Sequence, residues 1–265
     1  MRQSLIWLAA ALALVCALGP AWAAPPAGIT CKAYAVYDIT ADEVMAVHNQ
    51  QQIQPIASLT KLMTAILVCE RLRFDGRYVL TPEERETFGV DTMRADKMLE
   101  MMLVPSNNSV CKLAARIISG SETTFAREMN AKAAQLGLRN TCFANASGLP
   151  RDGQQSDVFD VLQLARVAMT YPRIHAAMRL RHIELNGHSY DSTLADLYER
   201  HPGLIGGKTG YTRAAGRCLV LHYACRGREY LVVTLGSKDV KSGFRDAELV
   251  LYNHGLYDGP IGAWE

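Results

Sequence analysis

The chain has 265 residues, of which 49% are hydrophobic and 20% are charged, and its formal net charge is +2. This length is enough for one large domain or two small ones, and the composition is that of an ordinary globular protein. Because the charge is nearly balanced and long runs of one sign are absent from the sequence, nucleic acid is not expected as a partner.

The first 23 residues have the three parts of a secretory signal peptide. Arg2 precedes an apolar stretch over 5–18, and the segment ends in Ala21-Trp22-Ala23. The apolar stretch is shorter than the about 20 residues that a membrane-spanning helix needs. We therefore expect cleavage after Ala23 and an exported protein. Retention of the segment as an anchor is the alternative, and no other membrane anchor is expected.

Six cysteines follow the signal segment, at positions 31, 69, 111, 142, 218 and 225. In an exported protein they permit up to three disulfides, but a domain of this size does not depend on them, so the pairing is left open. The sequence contains no Cys-x-x-Cys pair and no cysteine–histidine spacing typical of a metal site. We therefore expect neither a metal nor another cofactor.

The first predicted elements are a hairpin and a buried helix. Two β-prone runs at 32–38 and 43–48 are separated by Ile39-Thr40-Ala41-Asp42, which is typical of a hairpin. Dense apolar residues at helical spacing over 59–72 predict a helix that is buried on several sides.

The central part of the chain is predicted to be mainly helical, and strands return near its end. Thr81-Pro82 is typical of a helix start, and 145–155 reads as a loop. Further helices are predicted at 97–104, 109–118, 123–136, 158–170 and 243–253, and strands at 216–225 and 229–235. This order predicts one α/β domain over 24–265. Its sheet lobe comes from both chain ends (about 24–57 and 204–265), and an all-helical lobe (about 58–203) is inserted between them.

Three short stretches have polar side chains without an obvious packing role: Ser58-x-x-Lys61, Ser106-Asn107-Asn108 and Lys208-Thr209-Gly210. Each alone has an ordinary explanation, respectively a helix start, an N-cap turn and a phosphate loop. The phosphate loop is rejected because its first glycine would stand at position 202, which is Pro202. On a helix, residues three positions apart are neighbours, so the Ser58 hydroxyl and the Lys61 amine can meet.

Together and in this order, the three stretches resemble the SxxK, SxN and KTG motifs of the D-alanyl-D-alanine carboxypeptidases, the low-molecular-mass penicillin-binding proteins. The similarity extends to 125–130, 136–138, 141–145, 148–149 and 208–219, and it covers roughly 32–256. It implies the serine β-lactamase/D,D-peptidase-like fold, with an antiparallel sheet flanked by helices. It also implies a location in the bacterial periplasm or cell envelope.

The resemblance implies that Ser58 is the nucleophile, which attacks the carbonyl between two terminal D-alanines. A serine hydroxyl needs a neighbouring base. Lys61 is expected to be that base once burial and a nearby cation, Lys208, lower its pKa. Ser106 is expected to pass the proton to the leaving amine. Cys111, shortly after the middle motif, is expected to be a buried core residue.

The same resemblance implies how the substrate, a peptidoglycan stem peptide ending in D-Ala-D-Ala, is bound. Asn108 is expected to hydrogen-bond the peptide backbone. Lys208 and Thr209 are expected to bind the terminal carboxylate, and Gly210 to let the substrate approach the strand. β-Lactam antibiotics are expected to be covalent inhibitors at this site.

Two backbone donors are needed for the developing oxyanion. By resemblance these are the N–H groups of Ser58 and Tyr211. Arg245 is expected to help hold the terminal carboxylate, because members of the family often have an arginine shortly before their last helix.

Alternatives to a carboxypeptidase remain at this point. The first is a D,D-endopeptidase that cleaves peptidoglycan crosslinks, which the motifs do not distinguish. The second is a β-lactamase, which is disfavoured because the Glu-x-x-Leu-Asn motif of class A enzymes is absent from the sequence. The third is a non-catalytic peptidoglycan-binding protein, which is disfavoured because all three motifs are intact.

Overall fold

Both ends of the chain contribute to one antiparallel sheet. The structure is a computed structural model that describes residues 26–262 and 264, so the predicted signal peptide at 1–23 lies outside the described residues. The strands are β1 (Ala33–Asp38), β2 (Glu43–His48), β7 (Leu204–Thr212), β8 (Gly216–Cys225) and β9 (Arg228–Ser237). Their order is β2-β1-β9-β8-β7, and all neighbours pair antiparallel. The predicted fold class is confirmed.

The helices form most of the segment between β2 and β7, and one follows β9. They are α1 (Lys61–Arg71), α2 (Pro82–Phe88), α3 (Ala95–Leu103), α4 (Asn108–Ser119), α5 (Glu122–Gln135), α6 (Val158–Met169), α7 (Pro172–Met178), α8 (Ala195–Arg200) and α9 (Val240–Asn253). A 3-10 turn, Ala57–Thr60, leads directly into α1. The longer helices match the predicted ones within a few residues, whereas the short α7 and α8 are not among the predictions.

The inserted lobe is not purely helical, which corrects the prediction of an all-helical lobe. It contains two small antiparallel pairs, β3 (Tyr78–Val79) with β4 (Thr92–Met93), and β5 (His182–Leu185) with β6 (His188–Asp191). The first pair is too short to give a periodic pattern. The second turns at Asn186-Gly187, where both residues have positive φ, 50° and 75°. Asn-Gly is the preferred sequence for such a turn, and the prediction overlooked it.

The last helix begins earlier than the predicted start at 243. Asp239 caps its first turn, because the carboxylate accepts a hydrogen bond from the Ser242 N–H at 2.8 Å. An N-cap of this kind satisfies a backbone donor that has no partner within the helix. Residues from Val240 onward are therefore helical, so α9 begins three residues before the predicted start.

The sheet separates two hydrophobic cores, because successive side chains of a strand point to opposite faces. Val220 of β8 packs towards the inserted lobe, together with most of α1. Its neighbours Leu219 and Leu221 pack on the other face, together with Phe244 of α9. Residues 61–68 of α1 are all buried. The helix that contains Lys61 is thus enclosed by the core of the larger lobe.

The cysteines at positions 31, 69, 111, 142, 218 and 225 are all free thiols. Of the pairings that the sequence permits, none is formed among these described residues. Between residues 26 and 262, no helix combines the length with the apolar character that crossing a bilayer demands.

Candidate active site

Ser58 and Lys61 meet at the start of α1. Ser58 lies in the 3-10 turn, and Lys61 is the first residue of the helix. The Lys61 Nζ donates to the Ser58 Oγ at 2.7 Å, to the Asn108 Oδ1 at 2.8 Å and to the Ser147 carbonyl oxygen at 2.7 Å. An ammonium group has three donors. These acceptors therefore satisfy the lysine, although its side chain is completely buried.

Two glycines let the surrounding backbone approach the Ser58 turn. A Cβ atom on Gly148 would lie 1.9 Å from the Ala57 carbonyl oxygen, and the φ of Gly148 is +85°. A Cβ atom on Gly210 would lie 2.9 Å from the Ser58 backbone nitrogen. Real side chains do not tolerate such distances, so glycine is required at both positions. Strand β7 consequently runs directly beside Ser58.

Ser106 lies in the loop between α3 and α4 and contacts the lysine of the third motif. The Lys208 Nζ donates to the Ser106 Oγ at 2.8 Å and to the Thr209 carbonyl oxygen at 2.7 Å. Ser106 has a φ of +61°, a region that residues other than glycine rarely adopt. The surrounding structure therefore holds this hydroxyl against Lys208 in a strained backbone conformation.

The two asparagines of the middle motif have different contacts. The Asn107 Oδ1 accepts from the Val110 N–H at 3.0 Å and caps α4. Asn108, the first residue of α4, presents its Oδ1 to Lys61. The motif thus combines a helix cap with a side chain in the site.

Burial lowers the pKa of both lysines, because desolvation disfavours a charged group. For Lys208 the charges of Lys61 and Arg217 add to this effect, and its pKa lies well below its ordinary range. Of the two expected causes, burial lowers the pKa of Lys61, whereas the charge of Lys208 is not among the causes that act on it. Cys111 is buried as expected, and desolvation raises the pKa of its thiol to about 11.

Thr209 and Tyr211 flank Gly210 on β7. The Thr209 Oγ1 donates to the Thr193 Oγ1 at 2.7 Å, and Thr193 lies between β6 and α8. The Tyr211 residue is 47% exposed. Because β7 is the last strand of the sheet, its outer edge is available to pair with an extended peptide.

The structure does not bring Arg245 to this cluster. Since α9 begins at Val240, Arg245 lies inside the helix, and its side chain is exposed. It lines a surface groove with Lys241 and Trp264. Helix α9 packs through Phe244 on the sheet face opposite to the inserted lobe. The structure thus gives no support for the expected contact of Arg245 with a carboxylate.

Arg217 is a nearby cation that the motifs do not identify. It lies on β8 opposite Tyr211, is 7% exposed, and stacks over the Phe244 ring at 4.7 Å. Its Nε has no hydrogen-bond partner among the residues that the structure describes. Burial lowers the pKa of Arg217 to about 10, and its charge also lowers the pKa of Lys208.

Two further residues of the site fall outside the predicted set. Ser147 contributes its main-chain carbonyl to Lys61, and Thr193 contributes its hydroxyl to Thr209. No sequence signal indicates a carbonyl acceptor, because every residue has one. Thr193 comes close to β7 only through the tertiary structure.

Acyl transfer through serine requires a hydroxyl beside a base that can be neutral, and Ser58 with Lys61 meets this requirement. With the antiparallel sheet between two helical layers, this pair defines a serine enzyme of the penicillin-binding type. The family model for D-alanyl-D-alanine carboxypeptidase matches residues 21–239. The chain belongs to this family and is a serine-type D-alanyl-D-alanine carboxypeptidase, a hydrolase.

Individual relatives agree with this assignment. D-alanyl-D-alanine carboxypeptidase DacB2 of Mycobacterium tuberculosis is 31% identical over 256 residues, which cover 91% of this chain and 87% of the relative. A D-alanyl-D-alanine endopeptidase of Haemophilus influenzae is 28% identical, over 84% of this chain and 82% of that protein. Penicillin-binding protein D2 of Listeria monocytogenes, solved in an ampicillin-bound form, superposes with a TM-score of 0.76 at 28% identity, covering 88% of this chain and all of that one.

Proposed function

We propose that the enzyme acts on peptidoglycan stem peptides through an acyl-enzyme on Ser58. The observation behind this proposal is the 2.7 Å contact between the Ser58 Oγ and the Nζ of Lys61, whose pKa is lowered by burial. Neutral Lys61 accepts the hydroxyl proton while the Oγ attacks the carbonyl carbon of the terminal peptide bond. The C–N bond then breaks, D-alanine leaves, and water hydrolyses the ester to regenerate Ser58.

Ser106 is proposed to pass a proton to the departing amine. Its Oγ accepts a hydrogen bond from Lys208, and Asn108 in the same loop contacts Lys61. Holding a non-glycine residue at a φ of +61° costs about 1–2 kcal/mol. Strain of this kind is concentrated at functional sites. The strained hydroxyl beside buried Lys208 is therefore suited to a proton relay.

Lys208 and Thr209 are proposed to bind the terminal carboxylate of the substrate. Lys208 is buried with a lowered pKa, and an approaching carboxylate favours its protonated form. Substrate binding is thus coupled to proton uptake. The Asn108 Oδ1 faces Lys61, so its amide nitrogen is the group that donates to a carbonyl of the substrate backbone.

The oxyanion is proposed to bind the backbone N–H groups of Ser58 and Tyr211. The close approach of Gly210 to the Ser58 nitrogen supports this, because it places β7 beside the Ser58 turn. Backbone donors fixed in this way stabilise the charge that develops in the transition state.

We also propose that the protein is exported to the periplasm or cell envelope and that β-lactams acylate it. The signal-peptide pattern at 1–23 supports export. The ampicillin-bound form of the Listeria relative supports the acylation. Cleavage of the C-terminal residue is favoured over crosslink cleavage because the family model and the Mycobacterium relative are both named for carboxypeptidases, although an endopeptidase also matches.

The test is to incubate the pure protein with benzylpenicillin and to follow the intact mass. We expect a long-lived adduct that maps to Ser58 and is absent from Ser58→Ala. Ser109→Ala, which removes an exposed serine nearby, is the control and keeps the adduct. Failure of the unmutated protein to form an adduct contradicts the proposal, and rapid drug turnover indicates a β-lactamase instead.

Product analysis then separates the two peptidase activities. The enzyme is given a pentapeptide ending in D-Ala-D-Ala and, separately, a crosslinked dimer. Free D-alanine from the pentapeptide supports the carboxypeptidase. Cleavage confined to the crosslink supports the endopeptidase.

A further inference from the structure

Two histidines link the inserted lobe to the sheet. The Nε2 of His175, on α7, lies 3.3 Å from the Nδ1 of His222, on β8. The other ring nitrogen of His222, Nε2, lies 2.8 Å from the carboxylate of Glu229, on β9. His222 is 2% exposed, whereas His175 is partly exposed. The three side chains form one hydrogen-bonded chain, which the mechanism above does not use.

The contacts determine which ring nitrogens carry protons. An ionised carboxylate only accepts, so the His222 Nε2–H donates to Glu229. The other nitrogen of a neutral ring is an acceptor, so the His222 Nδ1 accepts from the Nε2–H of His175. A first added proton can enter at the His175 Nδ1, and both hydrogen bonds survive it. A second proton has to enter at the His222 Nδ1, where two N–H groups would face each other across 3.3 Å.

The surroundings of the chain oppose its full protonation. Burial lowers the pKa of both histidines, and the nearby charge of Arg179, directly after α7, lowers both further. Glu229 acts in the opposite direction on both rings, but its side chain is 52% exposed, and the pKa of each ring stays below its ordinary value. A charge on His175 also lowers the pKa of His222. Both rings are therefore neutral at neutral pH and are charged only in acid.

Helix α7 lies between the two elements that present Ser106 and Lys208. On one side it packs against α3, which leads into the Ser106 loop. On the other side, a Cβ atom on Gly206 of β7 would lie 2.5 Å from the carbonyl oxygen of Met178, the last residue of α7. Gly206 comes two residues before Lys208, whose Nζ donates to the Ser106 Oγ at 2.8 Å. A shift of α7 away from β8 therefore acts on both partners of this contact.

We propose that the chain of His175, His222 and Glu229 is an acid-sensitive contact that holds α7 against the sheet. It stays closed with one added proton and opens when the second enters, which releases α7 from β8. Since α7 packs against both β7 and α3, its release loosens the contact of Lys208 with Ser106 and slows acylation in acid. This inference adds control by pH to the proposed function, and only its acylation measurement depends on that function.

NMR titration of the unmutated enzyme tests the chain without turnover. The ring signals of His175 and His222 are assigned with His175→Gln and His222→Gln and are followed between about pH 4 and 7.5. Coupled groups titrate in two steps that belong to the pair. We expect two such steps, and the backbone amide signal of Gly206 should move only with the more acidic one. Independent titration of the two rings, or a Gly206 signal that does not respond to the second step, overturns the proposal.

His175→Gln separates a pH-sensitive contact from a merely structural one. A glutamine amide donates or accepts according to its orientation, so protonated His222 finds an acceptor in this variant. The ratio of its rate of acylation by benzylpenicillin to that of the unmutated enzyme should be near one at about pH 7.5 and about threefold to tenfold higher at about pH 5. The titration of Lys61 is common to both enzymes and cancels from this ratio.

His182→Gln is the matched control, because His182 is exposed on β5 of the same lobe and lies outside the chain. Its rate relative to the unmutated enzyme should not change with pH. A ratio for His175→Gln that is equally independent of pH overturns the proposal. If the unmutated enzyme forms no penicillin adduct, the acyl-enzyme is refuted, and the NMR titration still decides whether the chain opens in acid.

Discussion

At the scale of single residues, Lys61 decides what the site can do. Three acceptors surround its Nζ, which favours the ammonium form, and complete burial disfavours it. Burial is the larger effect, so the pKa is lowered. The lysine can therefore exchange a proton with Ser58 at moderate cost, which an exposed lysine with an ordinary pKa cannot do.

Lys61→Met removes the proposed base and keeps the apolar part of the side chain. We expect acylation of Ser58 by benzylpenicillin to slow by about a hundredfold to ten-thousandfold, the usual contribution of a general base. The rate of adduct formation is measured by mass spectrometry. Lys112→Met, at an exposed position on α4, is the control. A rate within a few-fold of the unmutated enzyme would exclude Lys61 as the base.

The lowered lysine pKa values also predict a pH dependence. The acylation rate should rise with pH as Lys61 loses its proton, and this rise should be absent from Lys61→Met.

The same pKa values affect the stability of the fold. In the unfolded chain lysines titrate near 10.5, whereas burial lowers the pKa of Lys61 and Lys208 in the folded chain. Between the lowered values and 10.5 the unfolded chain binds more protons, so the free energy of unfolding rises with pH there.

This gain in stability is absent at pH values below the lowered pKa values, where both states are protonated. Chemical unfolding at several pH values measures the effect. An acylation rate independent of pH, or a free energy of unfolding that falls across that window, would contradict the prediction.

At the scale of elements, the contact between the 145–155 loop and the Ser58 turn fixes the nucleophile. Gly148 has a φ of +85°, and a Cβ atom there would lie 1.9 Å from the Ala57 carbonyl oxygen. The loop and the turn can approach this closely only while position 148 lacks a side chain. The geometry of α1 at its start thus depends on a residue far along the chain.

Gly148→Ala should displace the Ser58 turn and reduce stability. A displacement of about 1 Å in a reacting group can slow a reaction about a hundredfold, so acylation should fall to a similar extent. Gly120→Ala is the matched control, because Gly120 also has a positive φ of +75° and a Cβ there meets nothing within 4 Å. It should cost only about 1–2 kcal/mol of backbone strain. Urea unfolding and the acylation rate test both variants, and equal effects would contradict the prediction.

The spacing of apolar residues in the sequence predicts those helices and strands that pack one continuous face against the core. The β1–β2 hairpin and the longer helices are of this kind, because their apolar spacing reflects the core that they border. The short α7 and α8 have too few residues for a clear period. The β5–β6 pair has a readable Asn186-Gly187 turn, which shows that one missed element could have been predicted.

The residues of the site also fall into two groups, those that the sequence motifs identify and those that only the tertiary structure brings together. Ser58, Lys61, Ser106, Asn108 and Lys208 belong to motifs with defined spacing, so their proximity could be predicted. Ser147 and Thr193 contact them only because distant loops meet in the folded chain. The expectation for Arg245 came from the resemblance alone, and the structure places this residue exposed on α9, which packs on the sheet face opposite to the inserted lobe.

At the scale of the whole molecule, β1 and β9 lie in the centre of the sheet and connect the two chain ends. The pairs extend from Ala33 with Leu235 to Asp38 with Tyr230. The two cores lie on opposite faces of these strands. Neither core can remain intact if β1 and β9 separate, so both should be lost in one cooperative transition.

Native-state hydrogen exchange tests this cooperativity. Paired amides of β1 and β9 should exchange with the same free energy, that of global unfolding, as expected for the most protected core strands. Within the described residues, the β5–β6 hairpin forms a separate two-stranded sheet, so it should exchange through local opening at a lower free energy. Exchange of β1 at a markedly lower free energy than β9 would show that the chain ends open independently.

The central position of β1 also constrains the order of events during synthesis. β1 and β2 are made first, but β9, the other neighbour of β1, begins only at Arg228. At about 5–20 residues per second, the growing chain is without this partner for roughly ten to forty seconds. A hairpin alone is marginally stable, and the unpaired edge of β1 can pair with other chains. Until β9 is made, protection of that edge from aggregation must come from outside the fold.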